Sequence, residues 1–203
     1  MILNTLDLPN GYYDLPKGKL ANVATFLEMH KNPLSGDESL PTGYTLRRFD
    51  PTDLQGYRAL FSKVGIDNMW FSRMIMADEK LMAVLSDPKI ESYALYKHDS
   101  AIGILELNFA DMADCELAFF GLTKDAIGQG IGRALMSQAI QKAWSKPINR
   151  FWVHTCHFDH PHALPFYQRS GFTPFKLMVE IHDDPRQTGY LPRHASPHVA
   201  LIE

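Results

Sequence analysis

Three glycines at alternate positions, Gly128, Gly130 and Gly132, stand between a strand-like run and a helical run. The strand-like run is Cys115-Glu116-Leu117-Ala118-Phe119-Phe120-Gly121-Leu122, and the helical run covers 131–144. Residues without a Cβ let the backbone approach a ligand closely and take up positive φ. At a helix start the first N–H groups have no partner within the helix, and the dipole favours an anion there. The chemistry open to this junction is therefore phosphate binding by main-chain amides.

Two other glycine-rich signatures fit less well. A P-loop requires Lys followed by Ser or Thr after its last glycine, and here Gly132 is followed by Arg133 and Ala134. A dinucleotide fingerprint requires G-x-G-x-x-G near the start of a domain. Here the third glycine falls one residue early, and most of the chain precedes it. A tight strand-to-helix turn with no ligand is the remaining alternative.

The stretch Ile127-Gly128-Gln129-Gly130-Ile131-Gly132-Arg133 resembles the acetyl-CoA loop of the GNAT (GCN5-related) N-acetyltransferases, whose pattern is Arg/Gln-x-x-Gly-x-Gly/Ala. A second stretch, His160-Pro161-His162-Ala163-Leu164-Pro165-Phe166-Tyr167, resembles that family's Asn-x-x-Ala-x-x-x-Tyr, and Gly171-Phe172 follow. The resemblance covers about residues 44–182. It implies an α/β fold, with a mixed α+β central sheet splayed between the fourth and fifth strands of that region. It also implies acetyl-CoA as co-substrate and an amine of unstated identity as acceptor.

Three tasks then need residues. Diphosphate binding falls to the amides of 128–132, with Gln129 and Arg133 as side-chain donors. Ile127 and Ile131 contribute backbone only, and Ile127 stands where the family has Arg or Gln. Phe120, Gly121 and Leu122 match the strand that pairs with pantetheine, and His160, Ala163 and Phe166 match the facing helix, with His160 in place of Asn. The resemblance points to Glu116 as the base, six positions before Leu122 where family members carry a glutamate, with Glu106 or a water chain as alternatives; an apolar wall of Phe119 and Trp70 would raise its pKa. The resemblance implies Tyr167 as the acid, since it matches the family's tyrosine placed to protonate the CoA sulfur, and a phenol stays protonated at neutral pH. Trp70, Phe71 and Arg73 lie where the family builds its acceptor pocket. The two departures, Ile127 and His160, motivate a second reading: a catalytically silent acyl-CoA-binding module. His154, His157, His160 and His162 invite a metal reading, but the odd spacing of 154 and 157 puts them on opposite strand faces, and no Cys or carboxylate completes a zinc set. No metal is expected.

A chain of 203 residues with 45% hydrophobic content is long enough for one domain with appendages. The formal charge of −3 gives no basic face for nucleic acid and is too small to decide the charge of a substrate. Two cysteines form no disulfide framework. With no signal-peptide pattern and no membrane-length apolar run, the expectation is a cytoplasmic protein that does not engage membranes. A homodimer is compatible with the resemblance.

Three regions follow: an N-terminal extension over 1–43, a catalytic domain over 44–182 and an extended arm over 183–203. Within the extension, alternating residues over 19–30 predict a strand buried on both faces, and 31–38 reads as an exposed loop. In the main domain, strands are expected at 44–49, 92–97, 102–109, 116–122, 151–157 and 174–181. Helices are expected after Asp50-Pro51-Thr52-Asp53 as far as Val64, where Gly65 stops the first, and over 78–85, 131–144 and 161–169. Turns are expected at 98–100 and 110–114. The arm would pack on the domain or on a partner subunit.

Overall fold

The computed structural model describes residues 9–34, 39–111 and 113–202. Residues 35–38 of the expected loop, Met112 of the expected turn and the two termini of the expected extension and arm lie outside these. Seven strands form one mixed sheet: β1 (Lys19–Met29), β2 (Tyr44–Arg48), β3 (Ile90–Lys97), β4 (Ser100–Asn108), β5 (Asp114–Leu122), β6 (Arg150–Cys156) and β7 (Thr173–Asp183). Four α-helices accompany them among the described residues: α1 (Leu54–Gly65), α2 (Asp78–Ser86), α3 (Ile131–Trp144) and α4 (Ala163–Arg169). The strand order is β2-β3-β4-β5-β6-β1-β7. No helix of the described residues is long and apolar enough to cross a membrane.

Helices cover the two faces of the sheet. On one face, Ile131, Leu135, Ala139, Ile140 and Ala143 of α3 pack against Leu105, Leu107, Leu117, Phe151 and Val153. These positions follow the 3.6-residue period that places one helix stripe on a sheet. On the other face, Tyr57, Leu60, Phe61 and Val64 of α1 join Leu81 and Leu85 of α2 over Ala94 and Ile104. The stretch after β7 closes over this second face through Leu191 and Ala195, which pack with Met69 and Phe158. Its anchor is a buried Arg186–Asp184 ion pair at 2.7 Å. Arg186 also donates to the carbonyls of Val199 and Ala200.

Both ends of α1 are set by local contacts. Asp50 does not cap α1: its carboxylate accepts from the Thr52 amide and hydroxyl and closes a tight turn of its own. Asp53 is the cap, accepting from the Gly56 amide at 2.9 Å, so Pro51 precedes the helix instead of opening it. Gly65 is the last residue of α1, but the chain continues through a 3-10 turn, Ile66–Asn68, and reverses at Met69, whose φ is 57°. Gly65 serves packing: a Cβ there would stand 2.4 Å from Trp70 Cβ.

β1 lies inside the sheet, antiparallel to both β6 and β7. Its C-terminal half is buried on both faces, with Phe26, Leu27 and Met29 in the core, whereas Val23 is exposed. Leu27→Ala is expected to destabilise the fold by about 2–5 kcal/mol, the usual cost of truncating a fully buried leucine. Urea unfolding checks this; a loss below about 1 kcal/mol would contradict the integral position of β1.

Candidate active site

β5 and β6 are parallel neighbours, yet they pair only at Asp114–Arg150, Cys115–Phe151 and Glu116–Trp152. Beyond that, β5 runs on to Leu122, held by β4, and β6 runs on to Cys156, held by β1. Each strand is thus fixed by its outer neighbour while the two part from each other. A bulge contributes: the β4–β5 register shifts between Glu106 and Leu107, which leaves Ala118 as the extra residue. Bulges bend a strand and increase its twist. The facing edges beyond Glu116 therefore carry main-chain groups that no strand satisfies, and a ligand can pair with such groups as an added strand would.

The glycine loop stands at the open end of this seam. After β5 a 3-10 turn, Lys124–Ala126, leads to Ile127 and then to Gly128 and Gly130 at φ 82° and 80°, a region that only glycine occupies without strain. A Cβ at either glycine would meet no atom within 4 Å. Gly130 is the N-cap of the 14-residue α3, with no side-chain cap and no acidic residue in the first turn. The helix start is thus positively polarised and its amides are not occupied by a capping side chain. Gln129 ties the loop to itself by donating to the Asp125 carbonyl at 2.6 Å. The Ile131 side chain is core. Ile127 is exposed, and Ile127, Gly128, Gly130, Gly132 and Arg133 border the cleft, while Gln129 and Ile131 do not.

The cleft has a volume of about 1330 Å³. Phe120, Gly121 and Leu122 form one wall; His160, Ala163, Phe166 and Tyr167 form the facing one. Phe120 stacks on Phe166 with ring centres 5.7 Å apart. Tyr167 is buried yet borders the cleft, and its hydroxyl bonds to none of the described residues. Burial, reinforced by the Asp159 charge, pushes the Tyr167 phenol far above its ordinary value, so it stays protonated. Gly121 has a packing reason as well, since a Cβ there would meet Val64 at 2.5 Å.

Glu116 faces the cleft from β5 and accepts from Asn108 Nδ2 at 3.1 Å. Burial raises its pKa above the ordinary carboxylate range, against the opposing effects of His154, the Asn108 hydrogen bond and Arg73. Glu106, the alternative base, is placed differently. It is fully buried and does not border the cleft. Its oxygens accept from Tyr57 at 2.9 Å, from Ser92 at 2.5 Å and from Arg73. A carboxylate so occupied has no route to a substrate proton; its role is to hold Arg73, whose guanidinium lies over the Phe119 ring.

Trp70, Phe71 and Arg73 all border the cleft. Trp70 packs on Phe61 and Phe119 and points its indole N–H at Asp159 Oδ1, 3.4 Å away. Asp159 also accepts from the Thr155 hydroxyl and the Cys156 amide, which fixes the turn after β6. Among the histidines, His157 accepts from the Val23 amide and His160 from the His162 amide. Among the described residues no three His, Cys, Asp or Glu side chains gather as a metal would require. The sequence reading missed Asn108, Asp159 and Asn22. The signal was available only for Asn108, which a β-hairpin pairing of 102–109 with 116–122 brings opposite Glu116.

Solved structures share this fold. A GCN5-related N-acetyltransferase from Sphaerobacter thermophilus superposes with a TM-score of 0.62 at 13% identity, over 80% of this chain and 52% of that one. An acetyltransferase from Thermus thermophilus does so at 0.54 and 18%, over 71% and 99%. An aminoglycoside acetyltransferase from an uncultured soil metagenomic sample, in complex with trehalose, does so at 0.54 and 17%, over 66% and 90%. The chain thus spans about half of the Sphaerobacter protein and nearly all of the Thermus one. No curated protein matches it in sequence. The sequence profile of the acetyltransferase (GNAT) family matches residues 58–172, more than half of the chain. With the splayed seam and the glycine loop in place, the chain belongs to the GNAT acetyltransferase family.

Proposed function

We propose that this chain transfers an acetyl group from acetyl-CoA to an amine, by direct attack of the amine. One observation carries the reading most: the parted β5–β6 edges, the glycine loop, Glu116 and Tyr167 all open on a single cleft. When bound, acetyl-CoA supplies the acetyl group already activated as a thioester. The amides of 128–132 hold the diphosphate, and Arg133 adds a positive charge at the helix start. The unpaired main-chain groups of 118–122 hold the pantetheine arm and direct a donor at the thioester oxygen.

Glu116 takes the proton from the attacking nitrogen, directly or through water. Its free oxygen faces the cleft while the other is fixed by Asn108. Tyr167 gives its phenolic proton toward the sulfur as the carbon–sulfur bond breaks. Trp70, Phe71 and Arg73 border the acceptor side, and His160 offers a hydrogen-bonding ring where the pantetheine passes.

Tyr167→Phe is expected to lower kcat by about 10²–10⁴-fold, the usual contribution of a proton donor. Acetyl-CoA affinity, read by calorimetry, should stay near wild type; full activity in this variant would remove Tyr167 from the mechanism. Glu116→Gln is expected to cost a similar factor and to change the pH profile. Only the ionised carboxylate accepts a proton, and burial holds Glu116 protonated to a higher pH than an exposed glutamate. Activity should therefore fall as pH drops through that raised pKa in the wild type, and this limb should vanish in Glu116→Gln. An unchanged acidic limb would assign the base elsewhere.

A further inference from the structure

We infer that the acceptor carries a second cationic nitrogen, held at the far end of the cleft by the Asn22 side-chain carbonyl and the Glu180 carboxylate. The inference rests on the reading of the cleft as an amine acetyltransferase site and names the class of amine. Asn22 is only 3% exposed and borders the cleft from β1. Its Nδ2 donates to Glu180 Oε2 at 2.9 Å, while its Oδ1 is buried without a partner among the described residues. The orientation of the amide follows from chemistry: an ionised carboxylate only accepts, so the nitrogen must face Glu180 and the carbonyl is the free end. A buried carbonyl beside a carboxylate calls for a donor, and a charged donor satisfies both.

The surroundings favour a cation. Phe71 and Phe158 border the same end of the cleft, with the His182 ring 5.5 and 6.3 Å from theirs. Aromatic faces attract cations. Arg73, which borders the cleft beside Phe71, has its charge balanced by Glu106. Glu180 and Glu116 lie on one face of the sheet, because directly paired residues point the same way: Glu180 pairs with Asn22, Glu28 with Trp152 and Trp152 with Glu116, and 22 and 28 share parity along β1.

Register also sets the spacing. Asn22 lies one strand beyond β6 and two positions past Ala24, the partner of Cys156. With strands about 4.8 Å apart and about 3.3 Å per residue, the second nitrogen sits on the order of 10 Å from the seam. A linear diamine or polyamine meets this requirement, as does a peptide N-terminus with a lysine at its third or fourth position.

The test compares diaminooctane, one nitrogen at each end, with octylamine as acceptors, following thiol release. A tetrapeptide with lysine at the third or fourth position is compared with the same peptide carrying norleucine. The dicationic member of a pair is expected to show kcat/KM about 10–100-fold higher, the range of a charge-assisted hydrogen bond. Glu180→Gln should bring that preference below about threefold. Whichever pair shows the larger preference identifies the source of the acceptor. Equal use of both members by the wild type, or a preference that survives Glu180→Gln, would overturn the inference. Thermal shifts of the CoA-loaded protein separate this from the parent reading. If no amine releases thiol, a larger shift with diaminooctane than with octylamine, lost in Glu180→Gln, would uphold the subsite while ending the catalytic reading; no difference in shift would overturn the subsite.

Discussion

Two parallel strands that begin as hydrogen-bonded neighbours and then separate are the constraint on which the site depends. A sheet normally gains from pairing every main-chain group, and unpaired groups inside a protein are costly. Here β5 stays bound to β4 and β6 to β1, so neither strand can move across to close the gap. The bulge at Ala118 turns β5 away, and Phe119, Phe61 and Trp70 pack together on one side of the divergence while Phe120, Phe166 and Tyr167 pack on the other. The opening is thus held by the packing of both faces, and its unsatisfied edges suit a ligand with an extended, amide-bearing arm.

Charge is arranged around that opening with similar economy. In the proposed reaction the diphosphate would meet main-chain dipoles at the start of α3, which has no acidic residue in its first turn. The acceptor side consists of carboxylates in graded environments. Glu106 is buried and neutralised by Arg73, which ties the connection after α1 to β4. Glu116 is partly desolvated and tethered by one amide, which suits proton transfer better than either full burial or full exposure. Tyr167, with its phenol pushed up, has only one protonation state to offer near neutral pH.

Much of this was legible in the chain. Alternate glycines between an apolar strand and an amphipathic helix have few physical uses, and the family resemblance of 160–167 pointed to the helix that forms the facing wall. The strands β3, β4 and β5 and the helix α3 followed from periodicity together with the turn residues between the strands. What could not be read is long-range. Nothing in the run over 19–29 says that it will sit between β6 and β7, since strand order is decided by which edges remain open after the rest has folded. Glu106 and Glu116 look alike in sequence, both on alternating strands; Tyr57, forty-nine positions away, Ser92 and Arg73 distinguish them. Asp50 and Asp53 both qualify as caps, and local hydrogen bonding to Thr52 decides between them.

In the proposed reaction the parted edges of β5 and β6 receive an acyl-CoA arm whose diphosphate rests on the glycine loop. A crystal structure with acetyl-CoA tests it most directly. The pantetheine is expected between the two strands, bonded to main-chain groups of 118–122, with phosphate oxygens about 3 Å from the amides of 128–132. Acetyl-CoA bound outside the seam, or β5 and β6 paired along their full length, would contradict it.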